Sequence, residues 1–146
     1  MSANQDFKEI FRLLNAEEVE YVIVGAHAVM FYTEPRYTKD IDILVNPTVE
    51  NARKAWNALA KFGAPLKNIS ESDFMDKDLI YQVGIEPNRI DIIMSIAGVE
   101  FDQAWRNRQT SSYDGIPINI LSRDDLIRAK KASGRRQDLL DLERLI

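Results

Sequence analysis

Two short apolar runs, Asp40-Ile41-Asp42-Ile43-Leu44-Val45 and Arg89-Ile90-Asp91-Ile92-Ile93-Met94, carry aspartate inside what otherwise reads as buried β-strand. Side chains alternate across a strand, so Asp40 and Asp42 share one face, about 7 Å apart, while Ile41, Ile43 and Val45 anchor the other. Aspartate is unfavourable in such a strand, and two on one face repel each other. A lone carboxylate in the second, more apolar run would be very costly to bury. Breaches of local preference of this kind concentrate at functional sites. If the two strands are neighbours, all three carboxylates converge.

Three converging carboxylates on a rigid sheet suit a hard divalent cation. Mg²⁺ takes a few carboxylates, keeps open positions, and fills the rest of its shell with water and phosphate oxygens. Two such ions about 3.5–4 Å apart assist phosphoryl chemistry by activating the attacking oxygen and stabilising the leaving one. A plainer reading has Asp40 or Asp42 capping a turn or pairing with Arg36 or Lys39, and a D-x-D match alone would favour it. The third aspartate and a glycine turn upstream tip the balance toward a site. There the β-branched run Tyr21–Val24 stops at Gly25, and Ala26 to Tyr32 has helix-forming composition up to Pro35. Free N–H groups at a helix start, beside a glycine that lets the backbone approach, form a phosphate cradle. His27, in the first helical turn, reads as structural or solvent-facing rather than as a general base.

Composition narrows the chemistry further. The 146 residues contain no cysteine and one histidine, which excludes disulfide scaffolds, thiolate metal sites and multi-histidine centres. Nineteen basic against 23 acidic residues give a net charge of −4, unlike a nucleic-acid-coating module. No apolar run approaches the ~18 residues of a membrane span, and the start lacks a signal-peptide core, so the cytoplasm is the expected location. Catalysis, if present, rests on carboxylates, hydroxyls, lysine and arginine.

The pattern predicts one α/β (α+β) domain over residues 1–146, a mixed sheet flanked by helices, with a helical tail at about 122–146. Phe7, Ile10, Phe11 and Leu14 mark the apolar face of a first helix at 4–16, capped by Ser2 or Asn4. Val49, Ala52, Trp56, Leu59 and Phe62 form a second helical stripe ending at Gly63. Residues 70–77 suit a single helical turn. Leu79–Gly84 and Arg89–Ile96 suit an antiparallel hairpin around Glu86-Pro87-Asn88. A short helix at Phe101–Arg108 follows, then an Asp114-Gly115 turn, a strand at Pro117–Leu121, a helix capped by Ser122, and a last helix at about Gln137–Leu145. Trp56 and the Met30–Phe31 stretch read as core rather than as a base-stacking platform. Most cations of 128–136 read as a solvated helix face.

Gly25, the segment Arg36-Tyr37-Thr38-Lys39-Asp40-Ile41-Asp42 and the strand around Asp91 resemble the nucleotidyltransferase superfamily, which has the polymerase-β-like fold. The likeness is greatest to small bacterial proteins allied to abortive-infection nucleotidyltransferase toxins. The tail, with Leu126-Ile127, Lys130, Gly134-Arg135, Asp138-Leu139, Asp141-Leu142 and Leu145, fits a pattern common there. The resemblance implies that Asp40 and Asp42 are paired metal ligands and that Asp91 is the third carboxylate, which also activates the attacking hydroxyl. It implies Mg²⁺ or Mn²⁺ as cofactor and a nucleoside triphosphate as co-substrate. Gly25 and Ala26 match the phosphate-holding dipeptide, with Ala26 standing where Gly or Ser is usual. Arg36 and Lys130 become candidates for the triphosphate. The expected reaction moves a nucleoside monophosphate to a hydroxyl of a protein, RNA or small molecule. The alternatives are a catalytically degenerate binding partner, as in a toxin–antitoxin pair, and a phosphohydrolase using the same carboxylates. The acceptor surface is expected from a partner chain, with a partner protein or RNA as acceptor, and the oligomeric state is unreadable from sequence.

Overall fold

The computed structural model describes residues 4–35, 40–84 and 88–146. Among these, six helices surround a mixed six-stranded sheet. In chain order the elements are α1 (Gln5–Ala16), β1 (Tyr21–Val24), α2 (Gly25–Tyr32), β2 (Asp40–Val45), α3 (Val49–Phe62), β3 (Ile80–Val83), β4 (Arg89–Ile93), α4 (Phe101–Asn107), β5 (Gln109–Tyr113), β6 (Ile116–Ile120), α5 (Arg123–Ser133) and α6 (Arg136–Leu145). A 3-10 turn, Glu71–Met75, lies between α3 and β3. The strands run in the order β3-β4-β2-β1-β6-β5. β2 pairs parallel with β4 and antiparallel with β1, so it sits in the middle of the sheet.

The core face of the sheet follows from the alternation read in β2. Ile41, Ile43 and Val45 point to the side on which α1 and α3 pack, with Ile43 opposite Ile23 and Val45 opposite Tyr21. Phe11 of α1 stacks on Tyr21, and Trp56, Phe74 and Tyr81 make a chain of edge-on ring contacts beyond β4. The other face carries Asp40 and Asp42, and a cleft separates it from α5 and α6. Asn4 caps α1 by accepting from the N–H of Phe7, and Ser122 caps α5 by accepting from that of Asp125. Gly63 ends α3 in the left-handed conformation, as its place after the stripe requires.

Several expectations need correction. The strand β5 (QTSSY) is hidden in sequence by its polar composition; among the described residues it is an edge strand that pairs with β6 alone, through the Asp114-Gly115 hairpin turn, and faces solvent along most of its length. The buried face of α3 is turned away from the expected stripe. Asn51, Ala52, Ala55, Ala58 and Leu59 are buried, whereas Val49 is exposed and Trp56 and Phe62 only partly covered. Alanines let the helix approach closely, and Asn51 is satisfied there by donating to the carbonyls of Glu20 and Asn46 and accepting from the N–H of Glu20. Phe31 is exposed rather than core. Ser2, Glu86 and Pro87 lie outside the described residues.

Candidate active site

The parallel pairing of β2 with β4 sets Asp42 directly beside Asp91, and Asp40 beside Arg89. The expected convergence of the three aspartates is therefore a matter of strand register. β1 ends at Val24, opposite Asp42, and the chain turns into α2 at Gly25. Gly25 has a φ of +67°, and a Cβ at that position would overlap Asp42 Oδ2. Only glycine meets both demands, so Gly25 serves as the seat for the Asp42 carboxylate.

Asp42 is held in an environment hostile to its charge. Burial first, then the charges of Asp91 and Asp40 and a hydrogen bond with Asp91, push its pKa up to about 6, with Lys130 pulling the other way. Asp91 is 8% exposed. The guanidinium of Arg89 joins the other two carboxylates. Its Nη2 donates to Asp40 Oδ2 at 2.8 Å and to Asp91 Oδ2 at 3.2 Å, and its Nε donates to Asp91 Oδ1 at 2.8 Å. Among the described residues, no three acidic or histidine side chains stand together as a ready metal cage.

Across a cleft of about 300 Å³ stand α5 and α6. Gly25, Asp42 and Ile93 line one side, and Lys130, Arg135 and Asp138 the other. Lys130 is buried. Its Nζ donates to Asp138 Oδ1 at 3.0 Å and lies 3.2 Å from Asp141 Oδ2. Arg135 Nε donates to Asp138 Oδ2 at 2.9 Å while most of the side chain remains in solvent. Burial opposes the ionised form of Asp138, yet hydrogen bonds from Arg135, Ser133 and Lys130 hold its carboxyl well below the usual range.

The site residues expected from sequence fall into place unevenly. Asp40, Asp42, Asp91 and Gly25 come together, with Ala26 half-buried in the first turn of α2, where N–H groups lack intrahelical partners. Lys130 faces them from the opposite wall, but in an ion-pair cluster rather than on open surface. Arg36 and Lys39 lie outside the described residues. His27 is half-buried rather than solvent-facing: it meets Phe7 edge-on at 5.6 Å and lies near the backbone of Asp40. Burial pushes its pKa down to about 4, which keeps it neutral and suits a support for the start of β2. Arg89, Asp138 and Asp141 escaped the sequence reading as site residues. Arg89 was visible only through its i, i+2 spacing to Asp91, which places both on one face.

These side chains fit a hard divalent cation. The donor set is all carboxylate oxygen, Asp42 carries uncompensated negative charge, and Gly25 keeps the space beside it clear of a side chain. On the same side, the start of α2 offers N–H groups to an anion.

Comparison with known proteins agrees with this geometry. A family model described as "Nucleotidyltransferase of unknown function (DUF6036)" matches residues 2–145. The chain belongs to this nucleotidyltransferase family. No curated protein matches its sequence. Among solved structures, it is similar to the lincosamide antibiotic adenylyltransferase LnuA in its lincomycin-bound form, at 15% identity and a TM-score of 0.60, over 99% of this chain and 98% of that one. It is similar to the antibiotic-resistance factor ANT(2'')-Ia at 13% identity and a TM-score of 0.64, covering 96% and 80%. A protein of Thermotoga maritima described as a nucleotidyltransferase, TM1012, follows at 18% and 0.61, covering 94% and 88%. At these identities the likeness establishes a shared fold.

Proposed function

We propose that this family member transfers a nucleoside monophosphate from a nucleoside triphosphate to a hydroxyl group, releasing pyrophosphate, in the cleft between Asp42 and Lys130. The observation that carries the reading is the Asp42–Asp91 register pair, with Asp40 on the same face of the same strand. Asp40, Asp42 and Asp91 would hold Mg²⁺ or Mn²⁺. Such a cation, when bound, neutralises the triphosphate and draws charge from the reacting phosphorus.

The chain's own groups supply the rest. The N–H groups of Gly25 and Ala26, at the positive end of α2, hold phosphate oxygens, and the absence of a hydroxyl at Ala26 leaves that contact to the backbone alone. Lys130 presents its charge from the opposite wall, and Arg36 precedes β2 as a further candidate. Asp91 takes the proton of the acceptor hydroxyl. That oxygen then bonds to the α-phosphorus as the bond to the bridging oxygen breaks, and pyrophosphate departs. The acceptor in this reading is a hydroxyl of a protein, an RNA or a small molecule, and the similarity to antibiotic adenylyltransferases makes a small molecule the first trial.

Arg89 favours a second reading as well, because a cation already bridges Asp40 and Asp91. In that reading the domain is a catalytically degenerate binding partner, for instance in a toxin–antitoxin pair. Incubation with each nucleoside triphosphate labelled at the α-phosphate, Mg²⁺ or Mn²⁺, and cell lysate separates the two. Transfer of label to an acceptor is the expected result. Free labelled monophosphate would point instead to hydrolysis, and no turnover with any nucleotide would favour the binding partner.

A further inference from the structure

We infer that Arg89 is the resting-state counter-ion of the carboxylate cluster and competes with the divalent cation for Asp40 and Asp91. The inference rests on the metal site proposed above and concerns how that site is kept when no metal is present. The oxygens a cation would need are those that Arg89 holds: Asp40 Oδ2, Asp91 Oδ1 and Asp91 Oδ2 all accept from its fork at 2.8–3.2 Å. A planar guanidinium satisfies two carboxylates at once and stays charged at any accessible pH. It therefore relieves the repulsion that register imposes on the cluster.

The two sides of the exchange differ in freedom. The Asp91 side chain is 11% exposed and fixed on a strand paired on both sides, whereas that of Arg89 is 29% exposed at the first residue of β4. A long side chain rooted at a strand end can swing outward; a short buried carboxylate cannot. Arrival of the cation thus displaces the guanidinium and leaves the aspartates where they are. The competition lowers apparent metal affinity, because part of the binding free energy goes into breaking the fork. Loss of the fork has the opposite signature to loss of a ligand: it weakens the metal-free fold yet strengthens metal binding.

The test is calorimetric titration of Mn²⁺ into metal-free wild type, Arg89→Ala, Arg89→Gln and Asp91→Asn at one pH, without nucleotide. Both Arg89 variants are expected to bind Mn²⁺ at least tenfold more tightly than wild type, and Asp91→Asn to bind more weakly. Thermal melts supply the second readout. In chelator, Arg89→Ala should melt below wild type, and in saturating Mn²⁺ that gap should close. Arg89→Gln, which keeps hydrogen-bonding capacity without charge, serves if the alanine variant does not fold. Equal or weaker Mn²⁺ binding by the Arg89 variants, with a melting gap that persists in metal, would overturn the inference while leaving the metal site intact. An absence of Mn²⁺ binding in every variant would overturn the metal site itself, and the inference with it.

Discussion

Two clusters of carboxylates, one half-buried and one buried, face each other across the cleft, and they have solved opposite problems. On the sheet, Asp40, Asp42 and Asp91 are set side by side by strand register, and Asp42 is left so poorly compensated that its pKa climbs to about 6. On the helices, Asp138 and Asp141 close around Lys130, Arg135 adds a second cation, and Asp138 stays ionised far below its usual range. The helical cluster is complete: its charges hold α6 on α5 and fix the position of Lys130. The sheet cluster is incomplete, and incompleteness is what a site requires if it is to gain something on binding. The carboxylates of α6 are the more deeply buried, so burial alone does not point to function; unbalanced charge is the better pointer.

The sharpest way to break this contrast is through activity. Asp91→Asn keeps the size but turns one acceptor of the Arg89 fork into a donor and removes the base, and transfer should fall by about 10²–10⁴-fold. The metal-free fold should survive, as judged by thermal melting. A loss of activity that merely tracks loss of folded protein would make Asp91 structural, like its counterparts on α6.

Stability separates the clusters next. Asp138→Ala leaves a buried lysine with one of its two carboxylates, and should cost about 3–5 kcal/mol in denaturant unfolding. Asp42→Asn in chelator should be neutral or stabilising at pH 7, by up to about 2–3 kcal/mol, since a pKa raised by roughly two units corresponds to that penalty on the charged form. Excess Mg²⁺ should then stabilise wild type more than Asp42→Asn. Equal destabilisation by both substitutions would remove the distinction.

The same contrast has a pH signature. Asp42 is raised in the folded state from 3.8 to about 6, so its stabilising contribution is present below pH 4 and is lost as pH rises through 6. Asp138 is depressed, so its contribution is present above pH 4 and is lost as pH falls toward its folded value. In chelator, unfolding measurements should show wild type losing stability relative to Asp42→Asn between pH 4 and pH 7. Asp138→Asn should show its deficit shrinking below pH 4. A common slope for both variants would contradict the assignment.

The smallest expected effect concerns neighbouring lysines. Lys130→Ala should weaken triphosphate binding and destabilise the α5–α6 pair, whereas Lys131→Ala, on the exposed side of α5, should change stability by less than about 0.5 kcal/mol. Fluorescence titration with a labelled triphosphate, corrected for folded fraction, checks this. Equal weakening by the two would indicate diffuse attraction rather than a placed ammonium.

Much of the sheet cluster was legible in sequence because strand alternation is strict. Asp40, Asp42 and Asp91 could be placed on faces without knowing the fold, and only their pairing awaited the β2–β4 register. Gly25 was legible as a turn, but its role as a seat for Asp42 depends on a contact 17 residues distant. The helical cluster was much less so. Lys130, Asp138 and Asp141 sit on two helices, and nothing short of the α5–α6 packing tells which cation faces which acid; the sequence marked Lys130 as a phosphate candidate but not its two carboxylate partners. The Arg89–Asp40 pair spans 49 positions and forms only across a parallel pairing. The misses in the fold have the same character: β5 owes its strand state to its neighbour β6, and α3 turned its alanines inward because close packing outweighed side-chain size.

The central claim is that the sheet carboxylates form a divalent-cation site, and a crystal soaked with Mn²⁺ and a non-hydrolysable nucleoside triphosphate tests it most directly. Anomalous scattering is expected to place Mn²⁺ between Asp42 and Asp91, with the phosphates at Gly25 and Arg89 turned away from its carboxylates. Nucleotide bound in the cleft with no Mn²⁺ at those aspartates, and Arg89 still bridging Asp40 and Asp91, would contradict it.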